Sequence, residues 1–215
     1  MKPALSEALG TALLLAVIVG SGIMGERLAG GNDAIALLAN SLATGCGLYA
    51  LIVAFADRSG AHFNPVVSVA LAWRAGFPSA RLFSYIPAQF IGALAGVLAA
   101  HVMFDLPLLQ ASQRARFGIG QWFSEVVATF GLVLLVLSLD PKRPWAAPAA
   151  VGVYITAAYW FTASTSFANP AVTVARAMTD TFAGISPAHV APFIAAEVIG
   201  AVLAMFVDRW LRPGQ

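Results

Sequence analysis

Long apolar runs separated by short polar segments dominate the chain, without the regular apolar–polar alternation of a surface helix or strand. A helix that crosses a bilayer needs about 20 mostly apolar residues. Six segments reach this length, and they predict transmembrane helices over 4–24, 34–56, 81–104, 119–139, 146–163 and 188–208. The pattern therefore predicts an all-α membrane protein.

Two further apolar segments, 65–74 and 170–180, are too short to cross a bilayer. Each begins with an Asn-Pro pair. Ten residues of helix extend about 15 Å, which is half of the hydrocarbon thickness. Each segment therefore predicts a re-entrant half-helix.

Three landmarks recur in the same order in the two halves of the chain. A Ser-Glu segment opens the first and fourth spans, an Asn-Pro segment follows the second and fifth, and a Gly-Ala segment lies in the third and sixth. Because each half holds three spans, the halves must be inverted relative to each other, as in many transport proteins. The chain is expected to be one channel domain, 1–215, made of inverted repeats 1–104 and 119–215.

Composition agrees with a membrane protein and argues against several other classes. Hydrophobic residues make up 60% of the chain and charged residues 10%, against about a quarter charged in soluble domains. The net charge of +2 leaves no nucleic-acid footprint, and the single cysteine, Cys46, excludes an internal disulfide. No nucleophile–base pair, ligand cluster or cofactor loop is present, so the sequence predicts a protein that is not an enzyme and holds no metal or cofactor.

Basic residues set the expected orientation, because they are enriched in cytoplasmic loops. With both termini in the cytoplasm, eight basic residues lie inside and four outside. Those inside are Lys2, Arg58, Arg74, Arg81, Lys142, Arg143, Arg209 and Arg212, and those outside are Arg27, Arg114, Arg116 and Arg176.

The two Asn-Pro pairs have a specific chemistry in this context. Pro65 and Pro170 suit the first helical position, which makes Asn64 and Asn169 N-caps whose amide nitrogens keep donors free. In an inverted pair, the two helix N-termini meet at the membrane centre, where irregular backbone is tolerated only around a wet cavity or inside protein. The predicted pore would orient a neutral molecule with an acceptor oxygen and repel cations.

The segments 59–68 (SGAHFNPVVS) and 165–172 (TSFANPAV) resemble the two signature motifs of the aquaporin family, the major intrinsic proteins. With the Glu7 and Glu125 segments, the resemblance extends over the whole chain. It implies the hourglass fold, with six spans and two half-helices, and a homotetramer in which each subunit has its own pore. It also implies passive passage of small uncharged molecules.

Two positions depart from the family pattern. Val66 replaces the alanine of the first Asn-Pro-Ala motif, where Ala171 keeps it in the second. Val172 replaces the arginine that usually follows the second motif in the narrow outer filter. Val172 is neutral and smaller than arginine, which implies a wider and more apolar filter. The combination of Val66 and Val172 resembles a bacterial branch associated with arsenic resistance.

The resemblance also assigns the other filter positions. Thr44 falls at the second-span position, and Ser166 or Phe167 supplies the loop position. The fifth-span position is ambiguous between Ala157 and Tyr159. A filter of Thr44, Val172 and a small fifth-span residue would admit solutes bulkier than water.

Two polar residues near the motifs have alternative interpretations. Arg176 follows Val172 by one helical turn, so it either lines the outer vestibule or is a surface arginine that answers Asp180. The resemblance places His62 near the cytoplasmic pore mouth. A pH gate and a neutral structural histidine both remain open for it.

Three glutamates lie in or beside predicted spans, where charge is costly. The resemblance gives Glu7 and Glu125 a bracing role, in which each carboxylate accepts hydrogen bonds from a re-entrant loop; proton relay is the alternative. Glu197 occupies the position that Gln89 has in the first half. It is either a protonated substitute for glutamine or the partner of another group.

The sequence thus predicts a passive channel for small neutral solutes in the lipid bilayer, with trivalent or methylated arsenicals, glycerol-like polyols and water as solutes. The expected location is the bacterial inner membrane. The alternatives are a water-selective aquaporin and a proton-coupled small-solute transporter that uses the buried glutamates.

Overall fold

The computed structural model describes residues 2–74, 76–140, 142–143 and 145–212. The described residues form helices and loops with no strand, and the helices are α1 (Lys2–Leu28), α2 (Asp33–Ser59), α3 (Pro65–Trp73), α4 (Leu82–Met103), α5 (Ile119–Ser138), α6 (Ala146–Phe161), α7 (Pro170–Arg176) and α8 (Val190–Leu211). Short 3-10 turns, Ser79–Arg81 and Pro187–His189, precede α4 and α8. The prediction of an all-helical protein with two half-length helices is confirmed.

Five of the described helices, α1, α2, α4, α5 and α8, are long and apolar enough to cross a membrane. The fifth predicted span differs, because α6 has only 16 residues and ends at Phe161. At 1.5 Å per residue its axis is about 24 Å long, slightly less than the hydrocarbon core. Thr162 is already extended, so the last two residues of the predicted span belong to the following loop.

The outward faces of the long helices are apolar. On α1, Leu5, Leu9 and Leu13 follow one another at intervals of four residues and are each at least half exposed. Such a stripe of leucines would be unfavourable in water but suits contact with lipid or with another subunit. The chain is therefore an integral, multi-pass membrane protein.

Glycines allow the helices of each half to pack closely. A Cβ atom at Gly92 of α4 would overlap the carbonyl oxygen of Ala8 in α1, and one at Gly200 of α8 would overlap the carbonyl oxygen of Val126 in α5. Small residues at such crossings let helix backbones approach, as in many membrane helix pairs. The pairs α1–α4 and α5–α8, one in each half of the chain, thus both pack closely at a glycine.

Replacing Gly92 with alanine is expected to destabilise the protein by about 1–3 kcal/mol, because the new methyl group meets fixed backbone rather than a flexible side chain. The matched control is Gly120→Ala, where a Cβ would meet nothing within 4 Å. The measurement is the thermal midpoint of unfolding in detergent, followed by size-exclusion chromatography. Equal midpoints for the two variants would contradict the close approach of α1 and α4.

The half-helices α3 and α7 lie at the centre of the bundle. Helix α3 contacts α4, α5 and α8, while α7 contacts α1, α4 and α8, and the two half-helices also contact each other. Each begins beside the other at its Asn-Pro pair, and both asparagines and both prolines are buried.

Candidate functional site

The two asparagine caps join the half-helices end to end. The Oδ1 atom of Asn64 accepts from the Val66 N–H at 3.0 Å, and its Nδ2 donates to the Ala168 carbonyl at 2.8 Å. In the second half, Oδ1 of Asn169 accepts from the Ala171 N–H at 3.0 Å, and its Nδ2 donates to the Phe63 carbonyl at 2.8 Å. Each NH₂ group has two hydrogens, so one remains available to a solute.

The loops before both caps hold residues in the left-handed backbone region. Ala61 and Phe63 have φ of 50° in the first loop, and Ser166 and Ala168 have φ of 51° and 49° at the corresponding places of the second. Non-glycine residues in this region cost about 1–3 kcal/mol each unless the surroundings hold them. The N–H and C=O groups of these turns lie outside the regular hydrogen bonds of a helix, so they need other partners.

The carboxylate of Glu7 accepts four hydrogen bonds at the first loop. Oε1 accepts from the Ser59 hydroxyl at 2.6 Å and the His62 N–H at 3.0 Å. Oε2 accepts from the Phe63 N–H at 2.7 Å and from Nε2 of Gln89 at 2.8 Å. A carboxylate suits this place because it accepts on both oxygens and donates on neither.

Glu125 has the same position at the second loop. It accepts from the N–H groups of Phe167 at 2.9 Å and Ala168 at 2.7 Å, and it is fully buried. Both glutamates thus bond the residues that directly precede an asparagine cap. This geometry matches the bracing arrangement, in which buried backbone donors receive an acceptor from a neighbouring helix.

A continuous cavity passes both asparagine caps. Its lining includes Leu139 and Ala147, residues of the two loops, and Thr44 and Arg176. Apart from loop and cap groups, most of its wall is aliphatic, from Leu14, Ile18, Leu48, Ile52, Val67, Leu71, Leu132, Val136, Val151 and Ile155. A path of this kind offers few hydrogen bonds other than those of the loops and the asparagines.

Tyr159 lies on the cavity wall and Ala157 does not. Tyr159 is buried and its hydroxyl is 3.2 Å from the Thr44 hydroxyl, which also lines the cavity. Ala157 is exposed on the outside of α6. The alternative of Ala157 at the fifth-span position is therefore wrong for this structure, and so is the expectation of a small residue there, because two further residues along a helix turn the side chain to the opposite side.

The remaining predicted filter residues line the same cavity as Thr44. Ser166, Phe167 and Val172 all line it and are all buried. The wall at Val172 is aliphatic. Ser166 has its hydroxyl buried without a partner among the described residues.

Arg176 is buried and lines the cavity, so the alternative of a surface arginine is wrong. Its guanidinium lies 3.4 Å from the centre of the Phe167 ring, and its Nε donates to the Ala183 carbonyl. Asp180 instead accepts from the backbone N–H of Gln113 at 2.8 Å. The side chain is thus fixed by the loop after α7 and by an aromatic ring.

Arg116 belongs to this region as well, although the sequence placed it only in a polar loop. Its guanidinium lies 5.0 Å from the centre of the Phe167 ring and donates to carbonyls of Ser164 at 3.1 Å and Gly184 at 2.8 Å. Burial lowers the pKa of Arg116 to about 9, so the group stays charged at neutral pH. No spacing in the sequence signals a contact between this loop and Phe167.

His62 also lines the cavity. Its Nδ1 is 3.0 Å from the Ser68 hydroxyl, and its ring packs against Phe77 and Tyr85 with centroid distances of 4.7 and 5.3 Å. The imidazole is therefore held on two sides by aromatic rings.

Val66 points away from the cavity. It packs with Ala70 of α3, Val133 and Leu137 of α5, and Ala201 and Ala204 of α8. The extra methyl groups relative to alanine thus fill space between α3 and the second half of the chain. The departure from the family motif at this position changes helix packing rather than the wall of the pore.

The sequence and the fold of this chain both match those of known proteins. A family model described as "Major intrinsic protein" matches residues 1–168, which include the first Asn-Pro motif. Aquaglyceroporin AqpS of Rhizobium meliloti is 52% identical over 96% of this chain and 88% of its own. Glycerol uptake facilitator protein-like 6 of Lactiplantibacillus plantarum is 29% identical over 97% of each chain.

The X-ray structure of the aquaglyceroporin from Plasmodium falciparum has the same fold, with a TM-score of 0.76 over 99% of this chain and 97% of that one, at 21% identity. The paired asparagine caps, the two braced loops and the cavity between them thus occur in a chain whose sequence and fold both match one family. The chain belongs to the major intrinsic protein family, whose members are membrane channels and not enzymes.

Proposed function

We propose that the protein is a passive channel for small uncharged solutes, with trivalent or methylated arsenicals and glycerol-like polyols as its main solutes and water in addition. The observation that carries this proposal is that the aliphatic side chain of Val172 lines the cavity together with Thr44 and Tyr159. The relative of 52% identity is named an aquaglyceroporin. Uncharged arsenite carries three hydroxyl groups, as glycerol does.

Arg176 supplies the fixed positive charge of the vestibule in this proposal. It lies one turn from Val172 and is anchored to Ala183 and Phe167. A cation in the cavity then meets the two half-helix N-termini and this guanidinium, whereas a neutral solute meets only donors. Cation exclusion is thereby retained although the family's filter arginine is replaced.

The proton-coupled alternative has less support. None of Glu7, Glu125 and Glu197 is among the residues that line the cavity in the described part of the chain. Their oxygens accept from loop amides, from a glutamine or from hydroxyl groups. Carboxyl groups held in this way are poorly placed to exchange protons with a solute in the pore.

The remaining parts of the proposal follow the family. Two inverted repeats, 1–104 and 119–215, form one channel domain, and four copies assemble with one pore each. The protein resides in the bacterial inner membrane with both termini in the cytoplasm. His62 then lies at the cytoplasmic mouth, where its contacts with Phe77 and Tyr85 support a structural role.

The experiment that tests this function is stopped-flow light scattering on vesicles that contain the purified protein. Water, glycerol and arsenite permeability are compared in one preparation, with protein-free vesicles as the control. Entry of glycerol and arsenite well above the control is expected. Fast water flow without solute entry would identify a water-selective channel instead, and solute uptake that requires an imposed proton gradient would identify a coupled transporter.

A further inference from the structure

Glu197 of α8 contacts the second asparagine cap directly. Its Oε1 accepts from the backbone N–H of Asn169 at 3.2 Å and from the hydroxyl of Thr173 at 2.5 Å. The side chain is fully buried. Glu197 therefore fixes the start of α7 from the side that faces away from the pore.

The other oxygen of Glu197 has no such partners. Oε2 is buried, and none of the described residues donates a hydrogen bond to it. The ion pairs among the described residues join Arg114 to Glu26, Arg143 to Asp140 and Arg212 to Asp208, so Glu197 belongs to none of them. An isolated carboxylate in such a place costs so much that the group normally takes up a proton.

The neighbouring charges strengthen this argument. Glu125 and Glu197 accept from the backbone N–H groups of the consecutive residues Ala168 and Asn169, so the two carboxyl groups lie near each other. Glu125 accepts two backbone N–H bonds and is thereby suited to be the carboxylate. A second negative charge on Glu197 would be repelled by the carboxylate of Glu125.

The first half of the chain contains a neutral group at the equivalent place. Nε2 of Gln89 donates to Oε2 of Glu7 at 2.8 Å and to the Ser68 hydroxyl at 2.9 Å. A proton on Oε2 would give Glu197 a donor beside an acceptor, which is the combination that the Gln89 amide has. The two halves would then each hold one carboxylate and one neutral donor–acceptor group.

We propose that Glu197 is a permanently neutral carboxylic acid that positions Asn169, with its proton on Oε2 and its Oε1 on the Asn169 N–H and the Thr173 hydroxyl. Its effect on the solute is indirect, because it acts through Asn169 and α7. The neutral state also keeps a net negative charge away from the place where the half-helix N-termini repel cations. This inference rests on the proposed function, which requires cation exclusion but gives Glu197 no part in it.

Infrared spectroscopy of the reconstituted protein tests the protonation state. At neutral pH the wild type is expected to show a carbonyl band of a buried carboxylic acid, shifted slightly in deuterated buffer, and Glu197→Gln is expected to lose this band. The matched control is Glu26→Gln. The side chain of Glu26 is 52% exposed, so this substitution should remove carboxylate intensity only. An acid band that Glu197→Gln leaves unchanged, or a loss of carboxylate intensity in that variant, would overturn the proposal.

Permeability measurements test the positioning role. Glu197→Gln keeps an acceptor for Asn169 and Thr173, so glycerol and water permeability should stay within about twofold of the wild type, since an exchange that preserves the bonds is nearly neutral. Glu197→Leu removes the acceptor and should lower both permeabilities. A Glu197→Gln variant that fails to fold, or that alters ion leak, would contradict the neutral acid. The infrared result does not depend on which solute the channel carries.

Discussion

Arginine in place of Val172 is expected to lower glycerol and arsenite permeability by about tenfold or more, which corresponds to about 1.4 kcal/mol of added barrier. Val172 is buried on the cavity wall together with Thr44 and Tyr159. A guanidinium there would narrow the path and place a second cation one helical turn from Arg176. Water is smaller and should lose less permeability than either solute.

The matched control for this change is Val172→Thr, which keeps the size of the side chain and adds one hydroxyl group. We expect its solute permeability to remain close to that of the wild type. Water permeability measured in the same vesicles shows whether the arginine variant still folds. If its glycerol and arsenite permeabilities equal those of the wild type, Val172 does not lie at the constriction.

The local features of the site could be predicted from the sequence because they depend on neighbouring residues. An asparagine before a proline caps a helix through its own side chain, and Asn64 and Asn169 do so. Long apolar runs identified α1, α2, α4, α5 and α8 as spans. The two half-length helices could be predicted because a helix of about ten residues crosses only half of the hydrocarbon core.

The fifth-span position could not be predicted, because it depends on the path of a loop. Between the end of α6 and Asn169, Thr165, Ser166 and Ala168 all have positive φ. Non-glycine residues rarely adopt this conformation, so counting back from Asn169 gave no reliable register. The choice of Tyr159 over Ala157 comes from the tertiary structure alone.

The surroundings of Phe167 also required the structure. Arg116 comes from the long loop between α4 and α5, and Arg176 comes from the end of α7. Both guanidiniums stack on the same ring. Contacts between two irregular segments leave no periodic signal in a sequence, so the apolar pattern and the motifs gave no reason to link Arg116 with the pore.

The second large effect is expected at Glu7. Substitutions at this residue distinguish bracing of the first loop from proton relay. Glu7→Ala removes the acceptor of four buried donors, from Ser59, His62, Phe63 and Gln89. Each buried donor without a partner costs about 1–3 kcal/mol. We therefore expect no folded protein from this variant by size-exclusion chromatography. The control is Glu26→Ala, which breaks only an exposed contact at 3.9 Å to Arg114. It should behave as the wild type does.

Glu7→Gln separates the two roles, because an amide has the shape of the carboxylate but only one acceptor oxygen. The Ser59 hydroxyl can turn to accept, but in either orientation of the amide its NH₂ group faces a backbone N–H, that of His62 or that of Phe63. Bracing therefore predicts a folded protein with a thermal midpoint below that of the wild type and with reduced glycerol permeability. Proton relay predicts instead a stable protein that has lost only proton-dependent uptake, and that result would exclude bracing as the reason for a carboxylate at this position.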